Sequence, residues 1–102
     1  MDRILMILEV SRKQDYIFAS KKLRDNAARS GEIAYVTDSA FFREAAGELY
    51  SPEKNLVYAG GGHTVLQFDD RETATRFARA VTSEAMKRFD GMEIVVKQMP
   101  YD

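Results

Sequence analysis

The sequence has no cysteine, no tryptophan, a single histidine and only two prolines among its 102 residues. Without cysteine, the chain has no disulfide framework and offers no thiolate to a metal ion. The apolar run at residues 4–8 is far too short to cross a membrane, and no cleavage-type signal segment follows it. These absences predict a soluble, cytoplasmic domain that has no membrane partner.

The charge is nearly balanced, because 15 basic residues oppose 16 acidic ones and leave a formal net charge of −1. A balance of this kind argues against bulk binding of nucleic acid. The basic residues are concentrated in residues 11–30, where six of them face two acidic residues and give a local charge of +4. Such a stretch can receive phosphate groups, although a run of charge is more often a solvated surface.

The first half of the chain predicts a strand followed by helices. The length is that of one domain over residues 1–102 with a single modest core. Residues 3–10 are nearly continuously apolar, which is typical of a strand covered on at least one face. Ser11 with Gln14 has the spacing of a capping box, so a helix is expected to begin there. Ser30 is expected to open a second helix with a regular apolar face.

The second half predicts a hairpin, a helix and a last strand. Residues 55–59 lead into three glycines and residues 63–68 lead out, which is typical of a hairpin because glycine reaches positive φ without strain. Asp69 with Glu72 is expected to cap the next helix, and residues 92–99 to form the last strand. The order predicts an α+β, ferredoxin-like βαββαβ fold with its helices on one face of the sheet.

Several aromatic residues are expected in the core. Tyr16, Ile17 and Phe18 are expected to be buried rather than to stack on a base. Phe41 and Phe42 are neighbours on one helix and are not both expected to face the core. One of these two phenylalanines is therefore expected to mark an interaction surface.

The predicted topology brings three separate parts of the chain to one edge of the sheet. The first two strands run parallel because a helical crossover joins them, so the end of the first strand lies beside the hairpin tip. Glu9 is at that strand end, and the first helix begins at the same edge. Candidate nucleotide-binding residues come from the helix start and from the tip: Ser11, Arg12, Lys13, Gln14, Gly60, Gly61, Gly62 and His63.

These residue types suit a nucleoside triphosphate. A helix start presents free N–H groups and partial positive charge to an anion, and basic side chains add charge-assisted hydrogen bonds to phosphate. Bare glycine backbone lets a base or a ribose approach closely. ATP or another nucleotide is therefore the expected ligand. Two structural alternatives stay open, namely a loose hairpin with a hydrogen-bonded histidine and an ion pair of Glu9 with Lys13 or Arg12.

Two stretches together resemble one known family. Residues 8–18, LEVSRKQDYIF, and residues 56–63, LVYAGGGH, resemble the first palm domain of the polymerase/cyclase-like large subunit of type III CRISPR effectors, or a stand-alone minimal CRISPR polymerase palm. That subunit has two palm domains related to nucleotidyl cyclases and diguanylate (GGDEF) cyclases. The resemblance covers nearly the whole chain. It implies a role in antiviral signalling, in which facing palms join ATP into cyclic oligoadenylate when target RNA is bound.

The resemblance also implies partners and a departure from active palms. The implied partners are a second palm or a homodimer, other CRISPR effector subunits and, through them, RNA. An active palm of this family carries Gly-Gly-Asp-Asp at the hairpin and a further carboxylate at the end of strand one, which together hold Mg²⁺. Gly62 and His63 replace the hairpin acids here, and neither is a good Mg²⁺ ligand. Only Glu9 remains, as a weak metal ligand and the one candidate catalytic residue.

The preferred interpretation is a nucleotide-binding palm that does not catalyse and that supports a catalytic partner. One alternative is a stand-alone minimal polymerase that dimerises and makes a cyclic nucleotide, with Glu9 sufficient for Mg²⁺. A second alternative is a ferredoxin-like module that holds RNA or protein through its sheet or through residues 11–30. No RNP-like aromatic motif lies on the predicted strands, which argues against sequence-specific RNA binding.

Overall fold

The computed structural model of the protein describes residues 3–101. Its four-stranded sheet has the order β2-β3-β1-β4, and every neighbouring pair is antiparallel. The strands are β1 (Arg3–Ser11), β2 (Leu56–Gly60), β3 (His63–Phe68) and β4 (Glu93–Tyr101). Since β3 lies between β1 and β2 and is antiparallel to both, β1 and β2 run parallel. This arrangement confirms the predicted ferredoxin-like βαββαβ fold.

Helical segments cover one face of this sheet. They are α1 (Lys13–Ile17), α2 (Leu23–Val36), α3 (Ser39–Ala46), α4 (Pro52–Asn55) and α5 (Arg71–Arg88), with a 3-10 turn at Gly47–Leu49. Every second residue of β1 is buried, from Ile4 to Val10, and the residues between them are half-buried. Because side chains alternate between the faces of a strand, one face packs on the helices and the other stays open. Within residues 3–101, no helix is long and apolar enough to span a membrane.

The centre of the core is a group of aromatic rings around Phe77 of α5. Its ring centroid lies 5.3 Å from that of Phe42, 5.7 Å from that of Tyr50 and 5.1 Å from that of Phe68. Phe42 and Phe41 are both fully buried, so the expectation that one of them marks a surface is wrong. Adjacent helical residues point about 100° apart, and α3 has packed neighbours in both directions.

The Phe41 side chain points toward α2 and the end of α5. Phe41 packs edge-on against Tyr35 of α2, with ring centroids 5.3 Å apart, and Arg88 of α5 lies over its ring. The Arg88 guanidinium is held in place by Glu44 and Glu84. Phe41 is therefore buried beneath an ion-pair network rather than between two apolar helices, which apolar periodicity alone does not reveal.

The start of α1 differs from the prediction. Ser11 is the last residue of β1, where it pairs with Glu93 of β4, and is not a helix cap. Arg12 takes the capping position with a left-handed φ of 54°, and no side chain caps the helix. The prediction that Ser11 and Gln14 form a capping box is therefore wrong, because pairing with β4 holds Ser11 in the extended conformation.

Two other helix starts also differ. Ser30 lies inside α2, which begins at Leu23, so it does not open a helix. The break comes instead at Thr37, whose hydroxyl donates to the Ile33 carbonyl and whose own carbonyl accepts a hydrogen bond from buried Thr64. Asp70 rather than Asp69 caps α5, since its carboxylate accepts a 2.7 Å hydrogen bond from the Thr73 N–H.

The residues of α1 are only partly in the core. Tyr16 is buried and Ile17 packs against the core from a half-buried position, as expected. Phe18 is 64% exposed, so its expected burial is wrong. The helix ends at Ile17, and Phe18 follows as its C-cap.

Candidate functional site

The end of β1 and the hairpin tip meet as the topology predicts. Glu9 lies directly opposite His63 in the β1–β3 ladder. The His63 Nδ1 atom is 3.3 Å from a Glu9 carboxylate oxygen, and the two side chains are 36% and 42% exposed. Since Glu9 lies between buried Leu8 and Val10, it points to the open face of the sheet. The partner of Glu9 is therefore His63, and not Lys13 or Arg12 as the alternative had it.

The hairpin tip is a two-residue turn. Gly60 ends β2, and Gly61 and Gly62 have φ values of +63° and +76°, as in a type I′ turn. A Cβ atom on Gly62 would lie 2.9 Å from Ile33 Cγ2 and 3.0 Å from Lys13 Cε. The bare backbone at Gly62 therefore admits side chains of the same protein, and its space is not free for a ligand.

The three glycines differ in what surrounds them. A Cβ atom on Gly60 would lie 3.0 Å from the Tyr58 hydroxyl, whereas nothing lies within 4 Å of a Cβ atom placed on Gly61. Of the three glycines, only Gly61 therefore leaves room for the predicted approach of a base or ribose to the backbone.

Lys13 connects the start of α1 to the tip. Its ammonium donates a 3.1 Å hydrogen bond to the Gly61 carbonyl. Because an ammonium has three N–H donors, two remain for an anion. Arg12 donates from Nε to Asp15 at 2.9 Å, but this pair is well exposed and contributes little stability. Both cations are therefore available to a phosphate group at this edge.

A shallow groove, widely open to solvent, runs along the start of α1 beside Glu9. Residues 9–15 line it, and its volume is about 460 Å³. The first helical hydrogen bond of α1 is the one that the Tyr16 N–H donates to the Arg12 carbonyl. The N–H groups of Lys13, Gln14 and Asp15 consequently have no partner within the helix. Ser11 and Gln14 line the same groove, so all four predicted residues of the helix start lie together.

Tyr58 also belongs to this edge, although sequence reasoning did not single it out. Its ring is 58% exposed and its centroid lies 6.4 Å from that of the His63 imidazole. A register shift between Leu56 and Tyr58 turns Tyr58 to the open face, opposite Val65. Regular alternation of side chains from Leu56 onward would have put Tyr58 on the face that the helices cover. The bulge, which leaves no signal in the sequence, places Tyr58 on the open face instead.

The oxygen ligands at this edge are few. Within residues 3–101, no three His, Asp or Glu side chains gather in a group that could hold a metal ion. Glu9 supplies one carboxylate, Gly62 supplies no side chain, and His63 offers a nitrogen that Mg²⁺ does not favour. These residues do not fit the paired-carboxylate metal site of active palms.

Comparison with known proteins gives matches among solved structures only. No protein-family model and no curated protein matches the chain. Csm1 from T. onnurineus superposes with a TM-score of 0.70 at 16% identity over 98% of this chain and 15% of its own. The Csm1-Csm4 cassette in complex with cA3 gives 0.73 at 17% identity, over 99% of this chain and 15% of that chain. The cassette in complex with one ATP gives 0.68 at 16%, with the same coverage.

These likenesses concern the fold, because the sequence identities are low. The chain spans about 15% of the length of the Csm1 chains that it matches. Csm1 is a palm-domain polymerase and cyclase subunit of type III CRISPR systems. The resemblance carried by residues 8–18 and 56–63 is thus confirmed at the level of architecture. The chain has the palm fold found in Csm1.

Proposed function

We propose that this domain binds a nucleoside triphosphate, ATP foremost, at the edge formed by Glu9, Lys13 and His63. The observation that carries the proposal is the meeting of three chain segments there, through the Glu9–His63 pair and the Lys13–Gly61 hydrogen bond. The matching Csm1-Csm4 cassettes were crystallised with ATP, pppApA, cA3 and cA4, which supports a nucleotide as the ligand class.

The phosphates fit the groove along α1. Lys13 has two free N–H donors, and the guanidinium of Arg12 can exchange its exposed contact with Asp15 for a phosphate. The free N–H groups at the helix start, the Ser11 hydroxyl and the Gln14 amide line the same groove. Arg12 keeps a left-handed backbone at this place, which costs on the order of 1–2 kcal/mol for a residue with a Cβ. Strain of this kind is concentrated at ligand sites.

The base or ribose fits the open side of the hairpin. Gly61 leaves its surroundings empty, and Tyr58 beside it presents an exposed ring on which a base can stack. His63 next to that ring adds a hydrogen-bonding nitrogen.

We further propose that the domain supports a second palm and does not catalyse on its own. In the resembled family, two hairpin acids hold Mg²⁺, and this chain has Gly62 and His63 in their places. An acid at Gly62 would need a left-handed backbone and would meet Ile33, so packing as well as composition opposes it. This edge would then leave Mg²⁺ to the phosphates of ATP, and omitting Mg²⁺ should reduce the affinity only modestly. CRISPR effector subunits are the proposed partners, with RNA reached through them.

Calorimetric titration of the whole chain with ATP, with and without Mg²⁺, tests the ligand. Lys13→Glu should weaken binding about tenfold or more, since a charge-assisted contact is replaced by repulsion. Lys21→Glu makes the same charge change on the exposed loop after α1 and serves as the matched control. Tyr58→Ala should weaken binding as well, with Val57→Ala as its exposed neighbour and control. Equal affinity of all four variants would place the nucleotide elsewhere.

Product analysis tests the supporting role separately. After incubation with ATP and Mg²⁺ or Mn²⁺, no linear or cyclic oligonucleotide should form. A product that disappears in Glu9→Ala would overturn this part and establish the minimal polymerase instead. Binding without product supports nucleotide binding and the absence of catalysis by this chain alone.

A further inference from the structure

The two edges of the sheet are built differently. The β2 edge is five residues long and is interrupted by the bulge between Leu56 and Tyr58. The β4 edge is nine residues long, and its pairing with β1 runs without a bulge from Tyr101 to Glu93. β4 is the last strand in the order β2-β3-β1-β4, so no further strand pairs with it in the described residues. A long regular edge is a template for strand addition.

The direction of the backbone groups follows from one hydrogen bond. The Val10 N–H donates to Gly62 on the β3 side of β1. The backbone N–H and C=O groups of successive residues point to opposite sides of a strand. Those of Glu9 therefore point toward β4, and those of its partner Val95 point back toward β1. Ile94, Val96 and Gln98 therefore turn their N–H and C=O groups away from the sheet. Pro100, which has no N–H, continues this outward series, where a proline removes no bond to β1.

We propose that a second copy of this chain pairs with the β4 edge in antiparallel fashion, about a two-fold axis through Val95. On the open face, exposed Glu93 and exposed Lys97 flank Val95 at equal distances. With Val95 at the axis, each Glu93 lies opposite the second copy's Lys97, and opposite charges meet twice. Ile94 and Val96 of the two copies then exchange their outward backbone hydrogen bonds.

The neighbouring registers lack this complementarity. An axis at Lys97 sets two lysines directly against each other, which is repulsive. An axis at Val96 sets Glu93 against Met99 and Lys97 against Val95, so no charges pair. Charge therefore selects Val95 as the centre. An axis at Val95 also places the candidate sites of the two copies at the same level along the strands, because Val95 is the β4 partner of Glu9.

In the resulting dimer, the two sheets join into one. The Glu9–His63 pairs of both copies lie in one row on the same open face, with the two β1 strands about 14 Å apart at about 4.8 Å per strand spacing. The inference concerns the homodimer form of palm pairing and rests on the proposal that this palm works beside a second one; it does not supply the catalytic partner, because both copies carry Gly62 and His63. Association is measured without nucleotide, so its failure is distinguishable from failure of ATP binding.

Charge exchange tests the register. Sedimentation of the whole chain over a concentration series should show a reversible dimer. Lys97→Glu and Glu93→Lys should each weaken it about tenfold or more, because two attractive pairs become repulsive. Mixing these two variants should restore association, as each charge again meets its opposite. Lys87→Glu, at the exposed end of α5, is the matched control. An unmodified chain that stays monomeric, or a mixture that does not associate, overturns the proposal.

Cross-linking tests the centre independently, since the chain has no cysteine of its own. Val95 faces its counterpart in a pair without backbone hydrogen bonds, where Cα atoms lie about 4.5 Å apart and a disulfide can form. Val95→Cys should therefore give a disulfide-linked dimer under mild oxidation. Lys97→Cys should give none, because these positions are separated by four residues along the strands. Equal yields from the two variants, or the reverse order, would overturn the register.

Discussion

The different surroundings of the hairpin glycines make a sharp prediction about stability. Gly62→Ala introduces a Cβ atom 2.9 Å from Ile33 Cγ2 at a backbone φ of +76°. Gly61→Ala introduces the same atom at a φ of +63° into open space. Both variants lose the same chain entropy in the unfolded state, so this contribution cancels between them. The comparison therefore isolates the packing around Gly62.

The magnitude follows from two costs. A left-handed backbone costs a residue with a Cβ roughly 1–2 kcal/mol, and both variants bear this cost. Overpacking adds roughly 1–3 kcal/mol at Gly62 alone. Lys13 can swing aside, but only by losing its bond to the Gly61 carbonyl, and Ile33 is 5% exposed and held by the core. Gly62→Ala should thus destabilise the fold by about 1–3 kcal/mol more than Gly61→Ala.

Urea unfolding followed by circular dichroism measures this difference directly, given equal m values. A double-mutant cycle identifies the contact: Gly62→Ala should cost less in the background of Ile33→Ala, which lacks the Cγ2 atom, with a coupling of about 1 kcal/mol. If the two glycine variants were equally stable, or if the cycle showed no coupling, the close approach of Ile33 to the tip would be refuted.

Two further predictions concern elements outside the site. Asp70→Ala should lower the melting temperature and Asp69→Ala should lower it much less, since Asp70 caps α5. The hydrogen bond from Thr73 lowers the pKa of Asp70, so thermal melting should show its contribution at neutral pH and its loss as the pH falls below the usual range for aspartate. Burial and the hydrogen bond to Glu32 raise the pKa of Tyr16 to about 12. Since a tyrosine in the unfolded chain has a pKa of 10.0, stability should fall as the pH rises from 10 toward 12, and Tyr16→Phe should reduce that slope in pH-dependent melts.

The sheet could be predicted because its signals are strong and local. A nearly continuous apolar run marks β1, and the glycine turn marks β2 and β3 as a hairpin. The meeting of Glu9 and His63 then follows from the predicted topology. Helix starts were predicted less well, because side-chain spacing competes with tertiary pairing. Ser11 has a capping partner at the right distance, but the ladder with β4 extends through it and moves the start to Lys13.

Other features depend on the packed structure and leave no pattern in the sequence. Phe41 and Phe42 are buried on different sides of α3, and one of those sides is closed by the Arg88 ion pairs. Tyr58 reaches the open face only through a bulge in β2. Each of these cases needs knowledge of which element lies next to the residue, which periodicity does not supply.

The same reasoning gives the hairpin glycines separate roles. Gly60 accommodates the Tyr58 side chain, Gly62 accommodates Lys13 and Ile33, and only Gly61 leaves room for a ligand. An acid at Gly62 would have to displace Ile33 from the core before it could hold a metal ion. The supporting role proposed for this palm therefore rests on packing that continues into α2, and substitution of Gly62 and His63 alone should not restore a two-carboxylate site.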